Sequence, residues 1–246
     1  MTERPDDPVT EGVKELVKQL PVKAVYDDAL APAAREAGAA LKDIVKALQL
    51  AVGAPIQYMA AWQDRYKAFL DRSVRRIPEE NRIQPPPQIL GPVLEGIRYE
   101  PEDTPIDEMF SELLSRSMDR ERADEAHPSY PYLIKQLSAD EARILVLLSQ
   151  NQYDWIDTAQ LKPTCDGFHS HKVEVDELPR DTLDFPDRVN FYCDHLHNLG
   201  LAGRYKSRNT EIIRDPSGKQ TGVRDFSKYR LTSLGEAFVR ACVSTD

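Results

Sequence analysis

Hydrophobic residues in the first half of the chain recur at every third or fourth position, which is the spacing of an amphipathic helix. The pattern predicts one helix from Ala39 to Val52 and a second from about Gln57 to Arg76. A third helix should begin at Thr104, because threonine is a preferred N-terminal cap and Pro105 suits the first turn. The first half is therefore predicted to consist of helices joined by proline-containing connectors.

The pattern changes at Ser138, which forms a capping-box sequence with Glu141 ahead of a new apolar stripe. Another helix is predicted from Pro186 to Leu199. Two extended segments follow, Leu201–Ile213 and Val223–Leu231, separated by a glycine-containing turn, and a closing helix ends the chain. The order helix, helix, strand, turn, strand, helix is that of a winged helix-turn-helix.

These patterns predict a mainly α fold, with a helical N-terminal module followed by an α+β winged helix-turn-helix-like C-terminal module. Residues 1–36 form a poorly periodic N-terminal segment, residues 37–137 the helical module and residues 138–246 the winged-helix-like module. Because the change in pattern coincides with a helix cap, we expect the two modules to separate near Ser138.

The composition is that of a globular protein, with 41% apolar residues, which is enough to build a hydrophobic core. The 32 basic and 41 acidic side chains give a formal net charge of -9. A surface of this charge repels nucleic acid overall, so any nucleic-acid site has to be a local basic patch.

Neither the N-terminus nor the cysteines indicate export or membrane insertion. The first residues are acidic and lack a basic region followed by an apolar one, and three widely spaced cysteines do not form a disulfide framework. The longest uncharged run, Ala47–Gln63, is too short and too interrupted to span a bilayer. We therefore expect a cytoplasmic protein without a transmembrane segment. An effector that acts on membranes through this run is the weakest alternative.

Four blocks of sequence, in the same order, resemble the bacterial abortive-infection alpha family. The first block is IPEENRIQPP at residues 77–86, continued by GPVLE at residues 91–95. The others are EMFSELLSRSMD at residues 108–119, AHPSY at residues 126–130 and IKQLS at residues 134–138. The resemblance is close from residue 77 to about residue 145 and does not cover residues 1–36. The resemblance implies that the protein is one of the phage-defence proteins. It identifies no catalytic residue in this sequence.

One pair of residues suggests an enzyme. Arg122 lies five residues before His127, and defence ribonucleases of the HEPN type pair an arginine with a histidine at such spacing inside helical bundles. Histidine can move protons near neutral pH, and arginine can hold the scissile phosphate. Matches at this spacing also arise by chance, so Arg122 and His127 are weak catalytic candidates. The stronger motifs of phosphate-binding loops, nucleophile elbows and zinc peptidases are missing.

A zinc site is the second chemical possibility, since cysteine and histidine are the usual zinc ligands. The candidates are Cys165, His169, His171, Cys193, His195 and His197. On a regular helix two residues subtend about 200°, so His195 points away from Cys193 and the two cannot chelate one ion. We therefore predict neither a metal site nor a cofactor.

Basic residues concentrate in the predicted wing. Residues 201–230 carry eight basic and three acidic side chains, whereas residues 151–200 carry four basic and ten acidic ones. A basic wing beside an acidic helix can grip a phosphate backbone but reads bases poorly. The candidate nucleic-acid-binding residues are Arg204, Lys206, Arg208, Arg214, Lys219 and Arg224.

The favoured hypothesis is a non-enzymatic sensor or adaptor in phage defence that acts through protein contacts. Its partner would be a phage component or a toxin, and the chain itself is a possible homo-oligomer. One alternative is a nucleic-acid-binding regulator that uses the basic wing. Another is a metal-independent ribonuclease centred on Arg122 and His127.

Overall fold

The computed structural model describes residues 56–244, and their side chains from residue 65 onward. The predicted segment 1–36, the predicted helix Ala39–Val52 and most of the uncharged run Ala47–Gln63 lie outside these residues. In the described part the α-helices are α1 (Ile56–Arg75), α2 (Pro87–Ile97), α3 (Pro105–Ser117), α4 (Tyr130–Ile134), α5 (Ala139–Gln150), α6 (Val189–Asn198) and α7 (Ser233–Cys242). The strands are β1 (Tyr153–Leu161), β2 (Phe168–Asp176), β3 (Ala202–Lys206), β4 (Glu211–Arg214) and β5 (Gln220–Leu231).

Helix α3 lies at the centre of the helical layer, in contact with α1, α2, α4, α5 and α7. Its start is determined locally, because the Thr104 hydroxyl accepts the backbone N–H of Asp107 and Pro105 occupies the first turn. Leu113 and Leu114 on α3 are fully buried, and Phe110 packs directly beneath Gly96 of α2. The cap predicted at Thr104 is thus confirmed.

The interface between α1 and α3 is polar as well as apolar. Asp107 of α3 is fully buried and pairs with the guanidinium groups of Arg65 and Arg72, both on α1. Arg76, which directly follows α1, pairs with Glu112 of α3 at 2.8 Å. Buried carboxylates of this kind need charged partners, because an unpaired buried charge would cost several kcal/mol. The register between α1 and α3 is therefore set by charge pairing in addition to packing.

The strands form an antiparallel sheet in the order β2-β1-β5-β3, with β4 pairing beside β3 along the same edge of β5. Strand β5 is the longest, so β1 covers one of its edges while β3 and β4 share the other. Gly222 on β5 needs to lack a side chain, because a Cβ there would lie 2.6 Å from the Ala159 carbonyl oxygen of β1.

The predicted mainly α fold with a winged helix-turn-helix is wrong. Residues 153–176, for which no strand was predicted, form the long β1–β2 hairpin, and β1 lies between β2 and β5 in a five-stranded sheet. The predicted strand Leu201–Ile213 is divided into β3 and β4. Strand β2 is exposed along most of its length, so its sequence lacks the apolar alternation from which a strand is inferred.

One hydrophobic core extends across the predicted module boundary at residue 138. The rings of Tyr130, in α4, and Phe238, in α7, meet edge to face with centroids 5.3 Å apart. The separation of two modules near Ser138 stays a prediction, and a truncated chain that begins there would expose Phe238. Among the described residues, no helix is both long and apolar enough to cross a membrane.

Candidate functional site: an exposed aromatic surface

Two phenylalanines near α6 are unusually exposed for large apolar side chains. Phe185 is 60% exposed and Phe191 is 63% exposed. The Arg188 guanidinium carbon lies 5.5 Å from the centroid of the Phe185 ring, and the His195 imidazole stacks on Phe191 at 6.1 Å between centroids. We call Phe185, Arg188, Phe191 and His195 the aromatic surface. Aromatic and arginine side chains at the surface are the residue types that dominate protein–protein contacts.

The Phe185 end of the aromatic surface is held by a buried carboxylate from α5. Asp140 is 2% exposed and accepts the backbone N–H groups of Asp184 at 2.8 Å and Phe185 at 2.9 Å. It also accepts the hydroxyl of Tyr192, on α6, at 3.0 Å. A single side chain therefore fixes the loop that carries Phe185 and attaches it to the neighbouring helix.

The ionisation of Asp140 suits this role. Burial would raise the pKa of the carboxyl group, but hydrogen bonds from the backbone of Asp184 and Phe185 and from Tyr192 and Arg143 lower it below its usual value of 3.8. The pKa of Tyr192 is raised, first by burial and then by its hydrogen bond to Asp140. At neutral pH the carboxylate is thus charged and the phenol keeps its proton, so the hydrogen bond between them persists.

The Phe191 end is held by the next residue of α5. One oxygen of Glu141 accepts the Ser138 backbone N–H at 2.7 Å, which completes the capping box at the start of α5. The other oxygen lies 2.6 Å from Nδ1 of His195, whose ring stacks on Phe191. The predicted capping box is confirmed, and its glutamate has a second partner that the local sequence did not indicate.

This arrangement restrains the backbone of Phe185 and the stacking partner of Phe191. The Phe185 backbone bonds to Asp140, and His195, which stacks on Phe191, bonds to Glu141. Asp140 and Glu141 are consecutive buried residues in the first turn of α5. A preorganised aromatic side chain loses little conformational entropy on binding, so more of its contact energy contributes to affinity. Two exposed carboxylates, Asp187 and Asp194, lie close by in the sequence, whereas that of Asp184 pairs with Arg143 at 2.6 Å. The surface is therefore suited to a partner that offers apolar pockets flanked by basic groups.

The structure does not bring the catalytic candidates Arg122 and His127 together. The Arg122 guanidinium lies 3.4 Å from Glu112 and 3.8 Å from Glu125, so it forms ion pairs with two carboxylates. The His127 ring accepts the backbone N–H of Ser129 and lies 2.7 Å from its hydroxyl, which is the geometry of a local turn. Within the described range the two side chains share no hydrogen bond or ring contact.

Two cations of the predicted nucleic-acid set are paired with acidic groups. Arg224 pairs with Glu174 at 2.8 Å and Glu211 at 3.2 Å. Lys206 lies 3.7 Å from Asp225. These pairs reduce the positive potential available to a phosphate backbone.

The remaining members of that set are dispersed over the sheet. Arg204 stacks on Trp155 at 4.2 Å, and Arg208 lies 3.4 Å from the centroid of Phe226. Arg214 donates to the Gly218 carbonyl at 2.8 Å, and Lys219 is exposed in the same turn. Nucleic-acid binding through these residues stays a prediction.

The zinc candidates are also separated. Cys193 is buried, Cys165 is exposed near the β1–β2 turn, and His197 lies 3.1 Å from the Tyr205 hydroxyl. No group of three histidine, cysteine or acidic side chains with metal-binding geometry occurs in the described part.

Sequence reasoning did not single out the aromatic surface, although one signal was present. The buried stripe of α6 contains Val189, Tyr192, Cys193 and Leu196. Phe191 falls outside that stripe, so helical periodicity alone places a large aromatic side chain on the solvent face. The hydrogen bond from the Phe185 backbone to Asp140 joins residues 45 positions apart, so no local sequence pattern indicates it.

Comparison with known proteins gives one match. The model of a protein family described as abortive infection alpha matches residues 60–242. That range includes the whole aromatic surface and both carboxylates that hold it. No curated protein and no solved structure matches the chain significantly.

Proposed function

Because the chain belongs to the abortive infection alpha family, which associates it with phage defence, we propose that it is a sensor or adaptor that binds another protein through its aromatic surface. The observation that carries the proposal is the exposure of Phe185 and Phe191 on a backbone held by Asp140 and Glu141. Exposed apolar rings reduce solubility, so their rigid display is best explained by a contact.

The chemistry of the surface describes the partner. The two phenyl rings would enter apolar pockets, and Arg188 would face an acceptor or an aromatic ring. The nearby aspartates favour basic side chains at the edge of the contact. A phage component or a toxin with such a surface would fit, and binding would report infection or restrain the toxin.

The experiment compares three forms of the full-length protein in bacteria challenged with phage. They are the wild type, the double variant Phe185→Ala/Phe191→Ala and the control variant Tyr132→Ala. The control removes a ring that is 54% exposed on α4, away from the aromatic surface. Each form is recovered with its bound proteins, and the partner that depends on the two phenylalanines is purified.

Direct binding of the purified partner then decides the question. We expect the double variant to weaken the dissociation constant by at least about 100-fold, since central aromatic side chains contribute about 2 kcal/mol each. The Tyr132→Ala protein should bind like the wild type, and phage protection should follow the binding. Unchanged affinity and unchanged protection in a folded double variant would contradict the proposal.

A further inference from the structure

Two buried polar atoms near the sheet lack hydrogen-bond partners among the described residues. They are the hydroxyl of Tyr229, on β5, and Nε of Arg180, in the loop between β2 and α6. Tyr229 is 1% exposed. Burying a hydroxyl group or a guanidinium N–H without a partner is unfavourable, so these two groups need an explanation.

The Tyr229 side chain belongs to a cluster on one face of the sheet. In the strand register Tyr229 lies directly opposite Arg204 of β3, and paired residues of an antiparallel sheet project from the same face. The ring of Trp155, on β1, meets Tyr229 edge to face with centroids 5.9 Å apart. The guanidinium of Arg204 covers Trp155 at 4.2 Å. Tyr229, Trp155 and Arg204 are therefore mutual neighbours.

Arg180 reaches the same cluster from the loop before α6. It forms an ion pair with Asp176 of β2, and Asp176 lies opposite Trp155 in the register. It also donates to the Pro186 carbonyl at 3.3 Å. With two of its nitrogens engaged in this way, the position of the unpartnered Nε is determined by the surrounding chain.

The thiol of Cys193, on α6, completes the cluster. Burial raises the pKa of this thiol to about 11, while the positive charges of Arg204 and Arg180 act in the opposite direction. The carboxylates of Asp194 and Asp176 raise the pKa further, so the thiol is protonated at neutral pH and its surroundings hold two carboxylates as well as two guanidinium groups. Its S–H group is a weak hydrogen-bond donor.

The two guanidinium groups of the cluster differ in their ion-pair partners. Asp176 compensates Arg180, but Arg204 has no carboxylate partner within the described range. The Tyr229 hydroxyl and Arg180 Nε can each donate a hydrogen bond, and no acceptor among the described residues receives either one. A guanidinium group without an ion-pair partner, beside two unsatisfied donors, can bind an anion.

We propose that Tyr229, Arg180 and Arg204 form a binding site for a small tetrahedral oxyanion, either inorganic phosphate or the terminal phosphoryl group of a nucleotide. Arg204 is exposed and lies over Trp155 at the solvent side of the site, while the Tyr229 hydroxyl and Arg180 Nε would donate hydrogen bonds from the buried side. The inference does not depend on the proposed protein contact, since none of these three residues belongs to the aromatic surface.

The test measures binding to the full-length protein by calorimetry and thermal unfolding. Inorganic phosphate, a nucleoside monophosphate and sodium chloride of equal ionic strength are the three ligands. We expect phosphate to raise the unfolding temperature in a saturable manner that chloride does not reproduce. Tyr229→Phe and Arg204→Gln should each weaken phosphate binding about tenfold, because hydrogen bonds to a charged group are involved.

The matched control is Arg230→Gln. Arg230 stacks on Tyr205 at 4.9 Å and follows Tyr229 on β5, so it projects from the opposite face of the sheet. The control should bind phosphate like the wild type. Equal affinities for phosphate and nucleotide would identify the free anion as the ligand, and tighter nucleotide binding would identify the phosphoryl group of a larger molecule.

Two results would overturn the inference. One is an equal effect of phosphate and chloride on the wild type. The other is wild-type phosphate affinity in both Tyr229→Phe and Arg204→Gln. Tyr229→Phe retains the ring and removes only an unpartnered hydroxyl, so without ligand it should be at least as stable as the wild type, and loss of binding cannot be attributed to unfolding.

Discussion

Glu141 of α5 and His195 of α6 are joined by a hydrogen bond of 2.6 Å between Oε1 and Nδ1. The same carboxylate caps the helix from which it comes, through the Ser138 backbone N–H. A single buried side chain therefore determines both where α5 begins and how the exposed face of α6 is oriented. Because the His195 ring stacks on Phe191, this bond connects the folded core to the aromatic surface.

Glu141 and His195 should be energetically coupled. In a double-mutant cycle with Glu141→Ala and His195→Ala, we expect a coupling free energy of about 1 kcal/mol, measured by denaturant unfolding. Ser138→Ala removes only the side-chain part of the cap and should cost about 1 kcal/mol without coupling to His195. Strict additivity of the Glu141 and His195 changes would show that the bond contributes nothing to stability.

Asp140 should make the protein sensitive to acid. Its folded-state pKa lies below the usual 3.8, so the carboxylate stabilises the folded state above that value, and the stabilisation is lost as the pH falls through the lower folded pKa. Asp140→Asn should therefore destabilise the protein by about 1–3 kcal/mol at pH 7. The difference from the wild type should decrease below about pH 4. Urea unfolding across this range measures it, and a difference independent of pH would contradict the assignment.

Gly235 should tolerate no side chain. A Cβ at this position of α7 would lie 1.8 Å from the Leu201 carbonyl oxygen, so Gly235→Ala should cost about 3 kcal/mol or more. Gly91 in α2 is the matched control, because nothing lies within 4 Å of its Cβ position. Alanine there should stabilise the helix by about 0.5–1 kcal/mol. Thermal unfolding of the two variants should shift in opposite directions, and equal shifts would be inconsistent with the packing described for α7.

Duplex DNA should bind weakly, if at all, at physiological salt. The cations of β3–β5 are partly paired with Glu174, Glu211 and Asp225, and the net charge is -9. Any binding at low salt should decline steeply as salt rises, and neutralising Arg204, Lys206 and Arg208 together should flatten that decline. Fluorescence anisotropy with two unrelated duplexes at two salt concentrations tests this. Tight binding to one duplex in physiological salt would favour the nucleic-acid-binding regulator.

His127 should not support RNA cleavage. His127→Ala removes an exposed ring that contacts Ser129 and Tyr130, so the fold should persist with a stability change below about 1 kcal/mol. Incubation of the purified wild type and variant with total RNA should give the same result for both. Cleavage by the wild type that the variant lacks would instead support the metal-independent ribonuclease.

Features that depend on neighbouring residues could be inferred from the sequence. The caps at Thr104 and Ser138 are examples, because each involves hydrogen bonds within one helical turn. The buried stripe of α6 follows from the helical period alone. The family resemblance was also visible in the sequence, and the match over residues 60–242 confirms it.

The tertiary structure decided the features that join distant residues. The β1–β2 hairpin was missed because β2 is exposed on both faces, and an exposed strand carries no alternation of apolar residues. Asp140 and Phe185, or Tyr229 and Arg204, meet only when helices and strands pack together. Periodicity reports which side of an element is buried, whereas the partner on that side depends on the whole chain. For this reason the sequence alone determined the helix caps and the family, and only the folded chain revealed the aromatic surface and the unsatisfied donors beneath Arg204.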